Sequence, residues 1–510
     1  MGYKTLQLKL PADYTNEEIS QAIRKKLGVK DFTFVIDKKS LDARKKENIH
    51  WMLGLVVSSG QFKGSAYEQP RPLDIPYRKR SKKVIVAGSG PGGFFAAYVL
   101  QLSGYDVTIL ERGSAVEKRS HAIGMLEKDG IFSADNNYAF GEGGAGTFSD
   151  GKLTSRSKRI SAERQFFLTE YVKAGAPEEI LYMAHPHVGS DNLKTIVPNL
   201  REKFHASGGT ILFDTMLVDI EVKNNKVKAV LTSSGKLPAD HVVLATGHSA
   251  YDTYRMLMKR GVAFGTKNFA IGHRIEHQQS LINLAQWGRE MLPGVKAAEY
   301  RLSTTTGSGE GVYTFCMCPG GFVVPSAAYD QHSVVNGMSY YQRDGHYANA
   351  GIVVGVHPDM LKGGKCSANE ALDLMDRLEE QFFDFSDGLA VPACTGPDYI
   401  KRQSSNHHLK SSYTRGMIAA PLFDMVPAFV SKSIAEALKD FAAKLKGFDS
   451  GTLLGLESKT SSPIQVAREI SGRCEGFDNL YFVGEGSGYA GGIVSSAADG
   501  IRCALTIAGR

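Results

Sequence analysis

The segment Lys83–Leu110 constrains this chain more than any other. Val84–Ala87 is uniformly apolar, as a strand buried on both faces must be. GSGPGG (Gly88–Gly93) follows, then a helix-compatible run to Leu102 and a second apolar strand over Asp106–Leu110. Such a strand, turn, helix and strand make a βαβ unit. In it Gly88 permits the tight turn, Gly90 lets a pyrophosphate approach the backbone, and Gly93 lets helix pack on strand. The helix start at Pro91 and Gly92 aims unpaired N–H groups at the phosphates. Glu111 ends the next strand, about twenty residues beyond the turn, where an acidic side chain accepts from ribose hydroxyls. Turn, helix and acid together point to a dinucleotide. Arg112 and Arg119 are further candidates for phosphate contact, although a lone arginine after a strand as often faces solvent.

The turn alone does not distinguish one dinucleotide from another, so the choice rests on two distant segments. Val242–Gly247 is an apolar strand ending in Ala-Thr-Gly, and Leu480–Gly486 is a strand ending in Phe-Val-Gly-Glu-Gly. Gly488, Tyr489, Gly491 and Gly492 then lead into a helix. Here the chain resembles the large FAD-binding superfamily that includes glutathione reductase. The resemblance implies FAD held without a covalent bond, with Thr246 and Gly247 beside the nucleotide and the acid after Gly484 on a ribityl hydroxyl. The usual acid is Asp, so Glu485 is a departure that lengthens the reach by one methylene. The helix start at Gly491, Gly492 and Ile493 would stabilise negative charge on the flavin N1/O2 edge.

Several longer strings are similar to a narrower group, the uncharacterised bacterial FAD-dependent dehydrogenases with an extra N-terminal domain. They are GEGGAGTFSDGKLTSR (141–156), PHVGSDNL (186–193), ATGHSAYDT (245–253), IGHRIEH (271–277), TFCMCPGG (314–321), NGMSYYQR (336–343) and ESKTSSPIQVAR (457–468). The resemblance spans nearly the whole chain and implies architecture and cofactor, but no substrate. Lys459 stands where the group leads us to expect Arg, and lysine cannot make an arginine's bidentate anion contact. The glycine-rich loop from Gly143 to Lys152 suits backbone approach to a ribityl or pyrophosphate group. Gly144, Gly146, Thr147, Ser149, Asp150 and Lys152 are therefore assigned to cofactor binding.

At 510 residues the chain is too long for one ordinary core. The expected class is α/β: a Rossmann-like FAD-binding domain of ββα type, a substrate domain built on a mixed antiparallel sheet, and a small α+β N-terminal domain. Residues 1–80 form that N-terminal domain, ferredoxin-like in outline, with a basic linker. Its helix starts at a capping box, Thr15 with Glu18. Strands are expected at 4–10, 32–37 and 50–58. The linker, residues 59–82, carries Pro70, Pro72 and Pro76 with Arg78, Lys79 and Arg80, a composition that does not pack. Residues 81–250 hold the first part of the FAD-binding domain, 251–460 the substrate or cap domain, and 461–510 the returning C-terminal part. In the cap domain one helix starts at the capping box Ser367 with Glu370, and another runs through Ile434, Leu438 and Phe441.

The net charge of +7 is a small excess on a large surface and weak ground for nucleic acid. No stretch reaches the roughly 18 apolar residues of a membrane span, and the N-terminus carries no export pattern. Six cysteines, with only Cys316 and Cys318 close together, make no disulfide framework, so a cytoplasmic location is expected.

The expected function is FAD-dependent hydride transfer to or from a small molecule held between cap domain and flavin. Candidate catalytic residues are His273, Arg274, Glu276, Cys316, Cys318 and Tyr489. His187, His248 and His277 are further imidazoles with a stronger claim to structural roles. Arg274 and Glu276 share a strand face and suit a buried ion pair or a polar anchor. Cys316 and Cys318, at i and i+2, are either a redox pair of a disulfide reductase or buried packing residues. A zinc site lacks a second cysteine pair, and no metal is expected. A second nucleotide-binding unit for NAD(P)H is absent, so either a nicotinamide docks transiently at the flavin or the organic substrate is itself the donor. Two other readings stand beside these. One is a flavoprotein that modifies or binds RNA or a protein through Arg78, Lys79, Arg80, Lys82 and Lys83; the other is a flavin-bound sensor without turnover.

Overall fold

Val84–Ala87, buried throughout, forms the middle of a five-stranded parallel sheet in the computed structural model of the chain. Asp106–Leu110 and Thr210–Leu212 extend the sheet on one side, His241–Leu244 and Leu480–Phe482 on the other. The outermost strand, Leu480–Phe482, lies far along the chain from Lys83–Ala87, so segments distant in sequence build one sheet. The structure describes residues 2–69, 71–386, 388–404 and 409–509. Pro70, one of the linker prolines, lies outside them.

Two helices, Pro91–Leu102 and Ile493–Ala508, pack against each other over this sheet. Almost every residue of the first helix is buried, which explains why its sequence FFAAYVLQL shows no polar face. A three-stranded antiparallel sheet, formed by Leu217–Lys223, Lys226–Thr232 and Gly235–Pro238, is inserted before His241–Leu244.

The second large sheet has eight strands, antiparallel except for the pair Val391–Thr395 and Met417–Ala419. Its centre is Tyr347–Val356 between Gly311–Pro325 and Phe269–Gln278, with Thr452–Glu457 beyond the last. Helices Ala368–Ser386 and Ala428–Lys444 cover it. The first begins at the expected capping box, Glu370 N–H donating to Ser367 Oγ (3.3 Å) and Ser367 N–H to Glu370 Oε2 (2.9 Å). The fold is thus α/β, a parallel nucleotide-type sheet joined to a mixed, mainly antiparallel one.

At the N-terminus Gly2–Pro11, His50–Ser59 and Thr33–Asp42 form an antiparallel sheet in that spatial order, with helix Asn16–Leu27 against one face. The Thr15–Glu18 capping box is present. Three strands and one helix fall short of the βαββαβ ferredoxin-like set, which corrects that expectation. The strand Thr33–Asp42 also continues beyond residue 37, where the expected strand ends. The described residues between 60 and 82 contain no helix or strand, yet Leu73 and Ile75 pack on the parallel-sheet core. Arg80 ties the same segment to the carbonyls of Ser103 and Ala508 (2.9 Å to the latter). The linker is therefore laid against the body, because isolated apolar residues between prolines still find a surface to cover.

Candidate functional site

The carboxyl ends of the parallel strands open on a cavity of about 280 Å³. Gly88, at φ +105°, makes the turn out of the first strand; a Cβ there would lie 2.3 Å from the Ala245 carbonyl oxygen. A Cβ on Gly93 would meet Gly88 O at 2.0 Å, so helix and strand are in direct contact. Gly90 differs: its nearest neighbour is Gly144 Cα at 3.8 Å, and the space in front of it is open. Gly90 is the N-cap of helix Pro91–Leu102 without a side-chain cap, and Gly492 is the equally uncapped N-cap of helix Ile493–Ala508. Gly90, Pro91, Gly92, Gly492 and Ile493 all line the cavity. Two helix N-termini, each with unpaired N–H groups and a positive dipole end, thus face one space.

Tyr254 clamps the two halves of the wall together. Its hydroxyl donates to Gly247 O (3.2 Å) or Gly486 O (2.7 Å), joining the Ala-Thr-Gly turn to the late glycine loop. Thr246, Gly247, Gly484 and Glu485 line the cavity, as do Gly144, Gly146, Ser149, Asp150 and Lys152. Among the described residues Thr246 Oγ1 and His248 Nε2 are buried in this wall without a hydrogen-bond partner. Burying such groups costs free energy unless something hydrogen-bonds to them. Open space before Gly90, Gly247 and Gly492, two uncapped helix starts and two orphaned polar atoms together fit a dinucleotide with a polar ribityl chain.

The electrostatics of the wall divide into fixed and titratable groups. Asp150 is buried, and burial alone would raise its carboxyl; Lys152 (2.8 Å) and Arg343 (3.0 Å) instead hold it well below the usual carboxylate range. Ser339 Oγ donates to it as well. Glu485 is about a quarter exposed, and lines the cavity. Burial pushes its carboxyl up to about 7, against the Gly492 N–H that bonds the charged form. His248, 3.8 Å from Glu485, is pushed down to about 3 by burial and by the cations of Lys459 and Lys267. Near neutral pH this pair therefore holds a neutral imidazole beside a carboxyl poised to take or give a proton.

Other expected residues are placed elsewhere or engaged otherwise. Glu111 lines the cavity, but four donors already occupy its oxygens: Ser89 N (3.0 Å), Ser89 Oγ (2.6 Å), Gly113 N (3.0 Å) and Gly141 N (3.1 Å). It braces three loops, which accounts for an acid at this position without a ribose contact. Arg112 lines the cavity while paired with Asp252 (2.7 Å) and stacked on Phe140. Arg119 is corrected outright. It is wholly buried, and its guanidinium donates to the carbonyls of Asn137, Tyr138, Gly141, Glu142 and Gly144, so no hydrogen remains to meet a phosphate. Thr147 lies off the cavity and donates to Glu142 O (3.0 Å). Gly491 is not part of the wall either.

Of the candidate catalytic residues, Cys316 alone reaches the cavity. His273 is fully buried between Gly455 O (2.6 Å) and the Tyr399 hydroxyl (3.3 Å), and His277 donates to Phe448 O (2.6 Å). Glu276 accepts from Ser412 N (2.9 Å) and does not pair with Arg274. Arg274 pairs with Glu457 instead (2.7 Å), both wholly buried, and also reaches Asn336, which lines the cavity. Tyr489 is half exposed, its hydroxyl on Val466 O and its ring under Arg468. The alternation of a strand predicts which residues share a face, but not which partner strand supplies the charge. Lys459 is on the cavity wall with Nζ 2.7 Å from Glu379 and 2.8 Å from the Tyr251 hydroxyl, a neutralised cation rather than an anion anchor. Thr246 and His248 both fall in the string ATGHSAYDT, but only the structure shows that each keeps a buried polar atom without a partner among the described residues.

Comparison with known proteins adds three findings. A family described as FAD-dependent protein, C-terminal domain-like, matches residues 268–460, and a domain of unknown function matches residues 3–58. An uncharacterized protein of Clostridium beijerinckii is 38% identical over 488 residues, covering 92% of this chain and 91% of its own length. Among solved structures, glycine oxidase from Bacillus cereus aligns with 84% of this chain and 95% of its own at 15% identity and a TM-score of 0.34. A geranylgeranyl bacteriochlorophyll reductase-like protein from Thermoplasma acidophilum aligns with 84% and 79% at 12% identity and a TM-score of 0.35.

Proposed function

The chain belongs to the family of the Clostridium beijerinckii protein, and we propose that it is an FAD-dependent oxidoreductase acting on a small molecule, with a glutathione-reductase-like nucleotide half. One observation carries this reading: glycine turns from distant parts of the chain, each opening an uncapped helix, meet at one cavity. In this reading the start of helix Pro91–Leu102, with Gly92 on the cavity wall, would hold the pyrophosphate through its N–H groups, and Gly90 would give it room. Thr246 and Glu485 bond the ribityl hydroxyls or ring edge. The start of helix Ile493–Ala508 would favour an electron-rich ring edge through its unpaired N–H groups and positive dipole end. FAD, once bound, supplies the two-electron hydride chemistry. The protein's own share is orientation, exclusion of water by the wide sheet, and proton storage on Glu485 beside neutral His248.

The test is an absorbance spectrum of the purified protein, followed by anaerobic addition of NADH, NADPH and a panel of organic donors. A flavin spectrum that bleaches with a donor and returns with oxygen is the expected result, and the donor that works identifies the reductant. A colourless protein that refuses added FAD overturns the proposal.

A further inference from the structure

The wide sheet sets Cys316 in the wall of this cavity and Cys318 behind it. On Gly311–Pro325 the pairing with Tyr347–Val356 slips between Phe315 and Cys318, and Cys316 stands at φ +42°. That left-handed conformation costs a non-glycine residue about 1–2 kcal/mol and persists only where the surroundings impose it. The slip puts Cys316 in the cavity wall, while Cys318 stays wholly buried behind it. The Cys318 thiol donates to the Cys316 carbonyl (3.3 Å) and lies 3.5 Å from Arg274 Nη2 and 3.9 Å from Lys152 Nζ. Arg274 Nη2 donates to the same carbonyl at 2.6 Å. Both thiols are free. Two small packing residues would not need a strained backbone, and the cations of Lys152 and Arg274, though paired with Asp150 and Glu457, also stand at the Cys318 sulfur.

Resting on the flavoenzyme reading above, we propose that Cys316 and Cys318 are a redox-active dithiol that exchanges an electron pair with the cofactor in the cavity. In the forward step a Cys316 thiolate and the Cys318 thiol join through one S–S bond; the electron pair and the Cys318 proton pass to the oxidised cofactor. In the reverse step the disulfide takes up an electron pair and a proton, its S–S bond breaks, and thiolate and thiol are restored. The two sulfurs are differentiated for these parts. Cys316 lines the cavity and Cys318 is wholly buried. A Cys318 S–H turned to the Cys316 sulfur instead of the carbonyl pushes the Cys316 thiol down and its own up, with burial raising both and Lys152 and Arg274 favouring the Cys316 thiolate. An unbent strand would hold residues i and i+2 about 7 Å apart, at the limit for a disulfide, and a bulge shortens that span.

The test oxidises the yellow holoprotein anaerobically with diamide and titrates it with dithionite, beside the Cys316→Ser and Cys318→Ser proteins at equal flavin occupancy. The wild type should take up one electron pair more per flavin than either variant. A second measurement needs no variant: after light-driven reduction of the flavin in the diamide-treated wild type, mass spectrometry should find the 316–318 disulfide opened. A yellow wild type whose cysteines stay unlinked after diamide, or stay linked beside reduced flavin, overturns the dithiol and leaves the flavoenzyme standing. A colourless protein overturns both.

Discussion

The three turn glycines answer different demands, and substitutions should separate them. Valine at Gly90 enters open space at a φ of −62°, so the cofactor-free protein should keep its unfolding free energy to within about 1 kcal/mol while no longer binding flavin. A Gly90→Val protein that stays fully yellow would move the phosphates elsewhere. Glu485 makes a second test at this scale. Burial raises its carboxyl to about 7 in the folded state, so its contribution to stability is complete below the ordinary value of 4.5 and is lost as pH climbs through 7. Glu485→Gln should therefore stabilise the cofactor-free protein above pH 7, by about 3 kcal/mol at most, and change little at pH 4. Urea unfolding at the two pH values reads the difference. Individual roles were the least legible part of the sequence. The glycines announce themselves because a turn needs them, but Glu111 and Arg119 have their charges answered by loop groups from Ser89 and residues 113–144 that spacing does not bring together on paper.

At the scale of elements the buried Arg274–Glu457 pair joins two neighbouring strands of the wide sheet behind the cavity. Arg274→Met would strand a buried carboxylate, at a cost of about 3–5 kcal/mol. Burial already pushes Glu457 up to about 7, so the loss should shrink at pH 5, where the carboxyl is protonated in any case. An equal loss at pH 5 and pH 8 would mean that packing, not charge, holds the strands. Elements with local signals were readable: both capping boxes and the strand–turn–helix unit are where their residues imply. The insert at 217–238 and the slip at Cys316 were not. Each depends on the register between strands far apart in sequence, whereas alternation along one strand carries only its own two faces.

For the whole molecule, a ligand bridging turns from distant parts of the chain should couple binding to stability. Free FAD at a hundred times its dissociation constant should add about 2.7 kcal/mol to unfolding, measured as a shift in the urea midpoint. No shift on an apoprotein would argue that the cavity takes something else. The division into parallel and mixed sheets was legible because buried parallel strands read as unbroken apolar runs. How the N-terminal unit is anchored was not, since its bond between Lys39 N and Tyr182 O (2.8 Å) joins backbone atoms that any residue supplies. The position of the outermost parallel strand, Leu480–Phe482, has a consequence for biosynthesis. The binding wall contributed by Gly484 to Ser496 leaves the ribosome long after the turn at Gly88. At about 5–20 residues per second, the nascent chain carries half a binding site for tens of seconds before the other half is made. A complete binding wall therefore exists only once residues 484–496 have emerged, and until then the strand His241–Leu244 is left as an unpaired edge of the parallel sheet.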